Sequence, residues 1–126
     1  MATINTMVKL DTASPVAGVL SLDFTNSKEY TVSDVTGDDL TLSAETVIVP
    51  STATVTTYVY MANTSTAIHV DLFSYNSATS TIGAQWGIIE KGEWSFFAVP
   101  AGSGLALTPQ TDAGAVVNYV TMTKSS

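Results

Sequence analysis

A chain of 126 residues with no cysteine has the length of one domain and must hold itself together by packing and backbone hydrogen bonds, since disulfides and thiolate metal sites are unavailable. Charged residues make up 12% of it, about half the share usual in soluble domains. There is no arginine, and the net charge of -7 leaves Lys9, Lys28, Lys91 and Lys124 as the only fixed cations, so the cationic stripe that a DNA or RNA binder needs is missing and nucleic acid is not an expected partner.

The opening Met1-Ala2-Thr3-Ile4-Asn5-Thr6 lacks the basic start and apolar run of a secretory signal. No stretch approaches the roughly 18 apolar residues of a membrane span. The expectation is a chain made without a leader and without a membrane partner. Alternation begins at once: Ile4, Thr6, Val8 and Leu10 share one face and Thr3, Asn5, Met7 and Lys9 the other, which predicts a half-buried strand. Ser14, Pro15 and Gly18 interrupt it. Val19 to Phe24 and Glu29 to Val32 read as two more strands separated by a turn at Asn26-Ser27, and Gly37-Asp38-Asp39 predicts another turn before Leu40 and Leu42. Glu45 to Val49 is a short strand that Pro50 stops.

From Thr52 to Met61 nearly every residue is β-branched or aromatic, with Val55, Val59 and Met61 facing one way and Thr56, Tyr58 and Tyr60 the other. Asn63-Thr64-Ser65 turns the chain. Ile68, Val70 and Leu72 then alternate with His69, Asp71, Phe73 and Tyr75. After a polar loop from Asn76 to Thr81, Gln85 to Ile89 and Trp94 to Val99 read as two strands of a tight hairpin joined through Glu90-Lys91-Gly92-Glu93, with Gly92 taking the positive φ of the turn. Leu105 to Leu107 and Ala115 to Thr123 complete the set, separated by the loop from Pro100 to Gly104 and by a turn at Asp112-Ala113-Gly114.

No window shows the three-and-four spacing of a helix. Nine or ten short strands predict an all-β, antiparallel β-sandwich, either a jelly roll or an immunoglobulin-like arrangement. Composition shifts near Pro50, so residues 51–126 are expected to form the compact sandwich core. Residues 1–50 are expected to be either its outer strands or an extended N-terminal arm packing on a neighbour.

Chemistry-bearing residues are few. His69, the only histidine, shares a strand face with Asp71, but no nucleophile accompanies them in the pattern, and a surface or interface histidine is the expected role. Asp34, Asp38 and Asp39 do not follow the calcium-loop spacing and read as solvated turn carboxylates. Glu90 and Glu93 have the residue types of a glycosidase pair, yet flank a turn rather than a cleft. Asn63-Thr64-Ser65 fits the glycosylation acceptor pattern, for which a turn-forming asparagine suffices. No catalytic, cofactor-binding or metal residue is therefore expected, and the chain is not expected to be an enzyme.

Ile4, Val8, Tyr58, Tyr60, Phe73, Tyr75, Trp86 and Trp94 are instead the candidate interface residues. Residues 1–12 would act as an arm, and Tyr58, Tyr60, Phe73 and Tyr75 as an outward aromatic face. The same aromatic side chains are also suited to stacking on sugar rings, which makes a carbohydrate-binding module the alternative function.

From Val47 onward the chain resembles a β-sandwich virion module of tailed bacteriophages, found in capsid decoration (cement) proteins and in some tail or fibre proteins. The resemblance rests on Val47-Ile48-Val49-Pro50, Met61-Ala62-Asn63-Thr64-Ser65, Ala67-Ile68-His69-Val70-Asp71-Leu72, Ile89-Glu90-Lys91-Gly92-Glu93, Gly104-Leu105-Ala106-Leu107 and Asp112-Ala113-Gly114-Ala115-Val116-Val117-Asn118-Tyr119-Val120, in that order. It implies a place on the capsid surface of a virion, the major capsid protein as partner, and a homo-oligomer, often a trimer. A tail or baseplate module is the other location it allows. The low charge agrees with a surface that packs on neighbours, because uncharged strands are cheap to desolvate and need covering.

Overall fold

The computed structural model describes residues 2–11, 23–111 and 114–125. Within them lie nine strands and no helix: β1 (Ala2–Asp11), β2 (Asp23–Leu42), β3 (Thr46–Val49), β4 (Thr57–Asn63), β5 (Val70–Asn76), β6 (Thr81–Ile89), β7 (Trp94–Val99), β8 (Gly104–Pro109) and β9 (Ala115–Lys124). They form two antiparallel sheets, ordered β1-β2-β9-β4-β7 and β3-β8-β5-β6. The expected all-β sandwich is what the chain forms.

The pairs β2·β9, β3·β8, β4·β7 and β5·β6 are all present, so the chain from β2 to β9 is one long hairpin with β5 and β6 at its tip. Rolled up, it brings β9 beside β4 and β8 beside β5. That double wrapping is the jelly-roll arrangement, not the immunoglobulin-like one. Strand β1 lies outside the roll, added to the edge of β2.

The core sits between the sheets. Strand β4 alternates strictly, with Thr57, Val59, Met61 and Asn63 buried. Val59, Met61, Ala115 and Val117 meet Val70, Leu72, Leu105 and Leu107 from the facing sheet. Full burial of each large aliphatic side chain contributes about 1.5–3 kcal/mol. Leu42 and Val49, at 0% and 2% exposure, belong to the same cluster, so the sequence on both sides of Pro50 builds one core.

Three local expectations are corrected. The turns predicted at Asn26-Ser27 and Gly37-Asp38-Asp39 are absent, because β2 runs unbroken for 20 residues through both. It does so because it has partners along nearly all its length: β1 pairs with Asp23 to Val32, and β9 with Val32 to Leu42 apart from Asp34 and Val35. Ladders on both halves outweigh the turn preference of single residues. The irregularity falls instead between Ser33 and Thr36, a register shift where Asp34 takes φ 48°, a conformation that Asp tolerates better than most residues. Gly37 serves a close approach, since a Cβ there would come within 3.0 Å of the Tyr119 carbonyl oxygen.

The second correction concerns Thr52 to Val55, which precede β4 as irregular chain. The third concerns the tight hairpin predicted at Glu90 to Glu93. Gly92 does have positive φ (76°), and the Glu93 amide donates to the Glu90 carbonyl at 3.1 Å. But β6 pairs with β5 and β7 with β4, so this turn carries the chain from one sheet to the other. The Gly92 amide donates to the Asn63 carbonyl at 2.8 Å, which ties the turn to the end of β4. The segment from Val19 to Leu22, part of a predicted strand, lies outside the described residues.

Candidate docking site

Strand β2 changes partner at Val32, which stands opposite both Ala2 of β1 and Lys124 of β9. Before that point β2 pairs with β1 alone, in an uninterrupted register from Ala2 opposite Val32 to Asp11 opposite Asp23. This hairpin extends past the end of β9 and bends over the outer face of the sheet. The Tyr30 ring lies 4.6 Å from the ring of Tyr58 on β4 and 5.6 Å from that of Phe96 on β7. In a flat sheet β2 and β7, three spacings apart, would be separated by roughly 14 Å. The sheet is therefore curled into a half-barrel, with Tyr30 reaching across it.

The curl creates a second buried cluster on the outer face. Val32 and Met122 are 0% and 3% exposed, although neither belongs to the core between the sheets. Met122 stands opposite Tyr58 in the β4·β9 ladder. Beside this cluster runs a groove of about 870 Å³ between the hairpin and the sheet. Ile4, Thr6 and Val8 line one wall and Tyr60, Trp94 and Val120 the other. Lys28 is the only charged residue among the described lining, and its ammonium lies over the Tyr30 ring, 5.2 Å from the centroid. Thr6 Oγ1 donates to the Lys28 carbonyl at 3.1 Å, bracing the two strands of the hairpin. Trp94, 56% exposed, packs at 6.3 Å from Tyr60 on the rim.

The structure thus brings Ile4, Val8, Tyr60 and Trp94 into one groove, with Tyr58 beside it beneath Tyr30. Phe73 and Tyr75 do not join them. They lie on β5, on the outer face of the opposite sheet, because the chain crosses between sheets from Asn63 to Val70 and reverses which direction is outward. The four aromatic residues expected on one face are divided between two. Trp86 is placed apart again. The register passes from Leu72 opposite Gly87 to Phe73 opposite Gln85, so Trp86 is the extra residue of a bulge, and its ring meets Phe97 of β7 edge-on at 5.1 Å. It closes one side of the sandwich between the two sheets.

Sequence reasoning missed Lys28, Tyr30, Phe96, Val120 and Met122. Phe96 is cross-strand to Tyr60 and Met122 to Tyr58, contacts that only the register supplies. Lys28 and Tyr30 alternate with Val32, a usable signal that the predicted turn at Asn26-Ser27 obscured.

Other polar residues are held in structural roles. His69 Nε2 lies 3.1 Å from Asp71 Oδ1, which also accepts a hydrogen bond from Gln85 Nε2 at 3.1 Å, on the outer face of the second sheet. Asp34 accepts from Thr123, the Asp39 amide donates to Asp38, and Asn118 donates to Asp39. Among the described residues no three His, Asp or Glu side chains are grouped to hold a metal ion. Asn63, in the glycosylation-like triplet, is 1% exposed; its Nδ2 donates to the carbonyls of Ile68 (2.9 Å) and Ile89 (3.0 Å), and its Oδ1 accepts from the Ser65 amide (3.0 Å). It is a turn former whose amide is enclosed. No family model, curated protein or solved structure matches this chain.

Proposed function

We propose that the chain is a structural virion protein, a bacteriophage capsid decoration or cement protein that binds the outside of the head shell and stabilises it. The observation that carries this reading is the β1–β2 hairpin, which folds over the outer face of a jelly roll and presents an uncharged, partly apolar edge. Met7 and Val8 are 67% and 48% exposed there. A ten-residue edge strand free of proline and uncharged from Ala2 to Val8 is an association surface unless covered. Repeated by the symmetry of a shell, modest contacts of this kind add up to tight attachment, and a homo-oligomer, with a trimer favoured, would raise the valency further. The partner is the major capsid protein.

The test is removal of residues 1–12. Because Ala2–Asp11 pairs only with the outer half of β2, the truncated protein keeps every strand pair of the jelly roll. Cosedimentation with undecorated phage heads should be lost, while the β-type circular dichroism remains. Full retention on the heads would remove the hairpin from the docking account.

A second reading is carbohydrate binding, favoured by the exposed Trp94 beside Tyr60 at the rim of a groove. A reproducible glycan-array signal that vanishes on Trp94→Ala without loss of folding would favour it. A tail or baseplate location is separated from a head location by copy number per particle.

A further inference from the structure

The five strands of the curled sheet alternate in direction, so β1 and β7 at its two ends run the same way. A ring of purely antiparallel strands needs an even number of members. β1 and β7 cannot close this half-barrel by regular antiparallel pairing with each other, whereas one strand running against both completes it. Residues of both end strands line the same groove, Thr6 and Val8 from β1 and Trp94 and Phe96 from β7. Among the described residues neither end strand has a sheet neighbour on its outer side.

We propose that an extended segment of a different polypeptide inserts into this groove as a sixth strand, antiparallel to β1 and β7. It carries apolar side chains at alternate positions and one carboxylate facing Lys28. This rests on the topology of the sheet and stands whether or not the protein belongs to a virion.

Three observations specify the occupant. Two backbone edges require backbone donors and acceptors on both sides of the ligand, which an extended peptide has and a sugar or lipid lacks. About 870 Å³ of groove lined mainly by apolar side chains takes a row of side chains from one face of a strand. Lys28 is the only charge in the described lining of a protein whose net charge is -7, so the groove favours a carboxylate that the rest of the surface repels. That charge also selects against a second copy. The exposed edge strands β3, β6 and β7 contain no Asp or Glu, and β1 contains none from Ala2 to Val8.

The test uses the full chain, immobilised, and a library of random ten-residue peptides displayed on a neutral carrier. Enriched sequences should show apolar residues at every second position, with one Asp or Glu on the apolar face. A synthetic copy of an enriched peptide should slow hydrogen–deuterium exchange in both β1 and β7. Lys28→Gln should weaken binding about three- to fivefold, and a proline at the centre of the peptide should abolish it. No enrichment, enrichment without alternation, or protection of only one end strand would overturn the proposal. So would free protein in which both end strands are already protected: as a monomer it closes its own groove, and as an oligomer a second copy fills it.

Discussion

The ring of Tyr30 rests 4.6 Å from the ring of Tyr58, two strands away in the same sheet, and this contact fixes the hairpin over the outer face. Tyr30→Ala should remove it along with the Phe96 contact and cost about 2 kcal/mol. Amide exchange should accelerate in β1 and in β2 up to Thr31, while β4 and β8 keep their protection. Unchanged exchange in the hairpin would show that the ladder alone holds its angle.

Asn63 is a polar pin within the core, joining the end of β4 to the carbonyls of Ile68 and Ile89. Asn63→Ala leaves two carbonyls without their side-chain donor, and urea denaturation should register a loss of about 2–4 kcal/mol. Asn63→Asp should be worse, because it places a carboxylate against the same two oxygens.

Two glycines separate steric from conformational demands. A Cβ at Gly104 would overlap the Tyr75 carbonyl oxygen and come within 3.0 Å of the Val49 carbonyl oxygen, both backbone atoms that cannot step aside. Gly104→Ala should cost about 3 kcal/mol or more. At Gly92 nothing lies within 4 Å and only the φ of 76° resists a side chain, so Gly92→Ala should cost about 1 kcal/mol. Equal melting temperatures for the two variants would contradict this.

Trp86 closes the side of the sandwich through its edge-on contact with Phe97. Trp86→Ala should destabilise by about 1–2 kcal/mol and leave groove binding unchanged, since Trp86 does not line the groove. Loss of peptide or particle binding in a folded Trp86→Ala protein would show that the docking surface extends to the β6 side.

Much of the architecture was legible as alternation. Period-two spacing turns Val59, Met61, Val70 and Leu72 one way and Tyr58, Tyr60, Phe73 and Tyr75 outward, and the structure places the first four inward and the aromatic four outward, each on its own strand. The turns were less legible. Asn26-Ser27 and Gly37-Asp38-Asp39 have the chemistry of turns yet lie within a strand, because the decision belonged to the partners β1 and β9, distant in sequence.

The sequence by itself determined the class of the fold, its dependence on packing without cross-links, and a surface poor in charged residues, because these follow from local side-chain chemistry and its period. Which outward faces coincide was decided only in three dimensions. Alternation tells each strand its inside from its outside, but strand order, register and curl arise from long-range pairing, and these divided the aromatic set between two sheets and brought Tyr30 over Tyr58 to shape the groove.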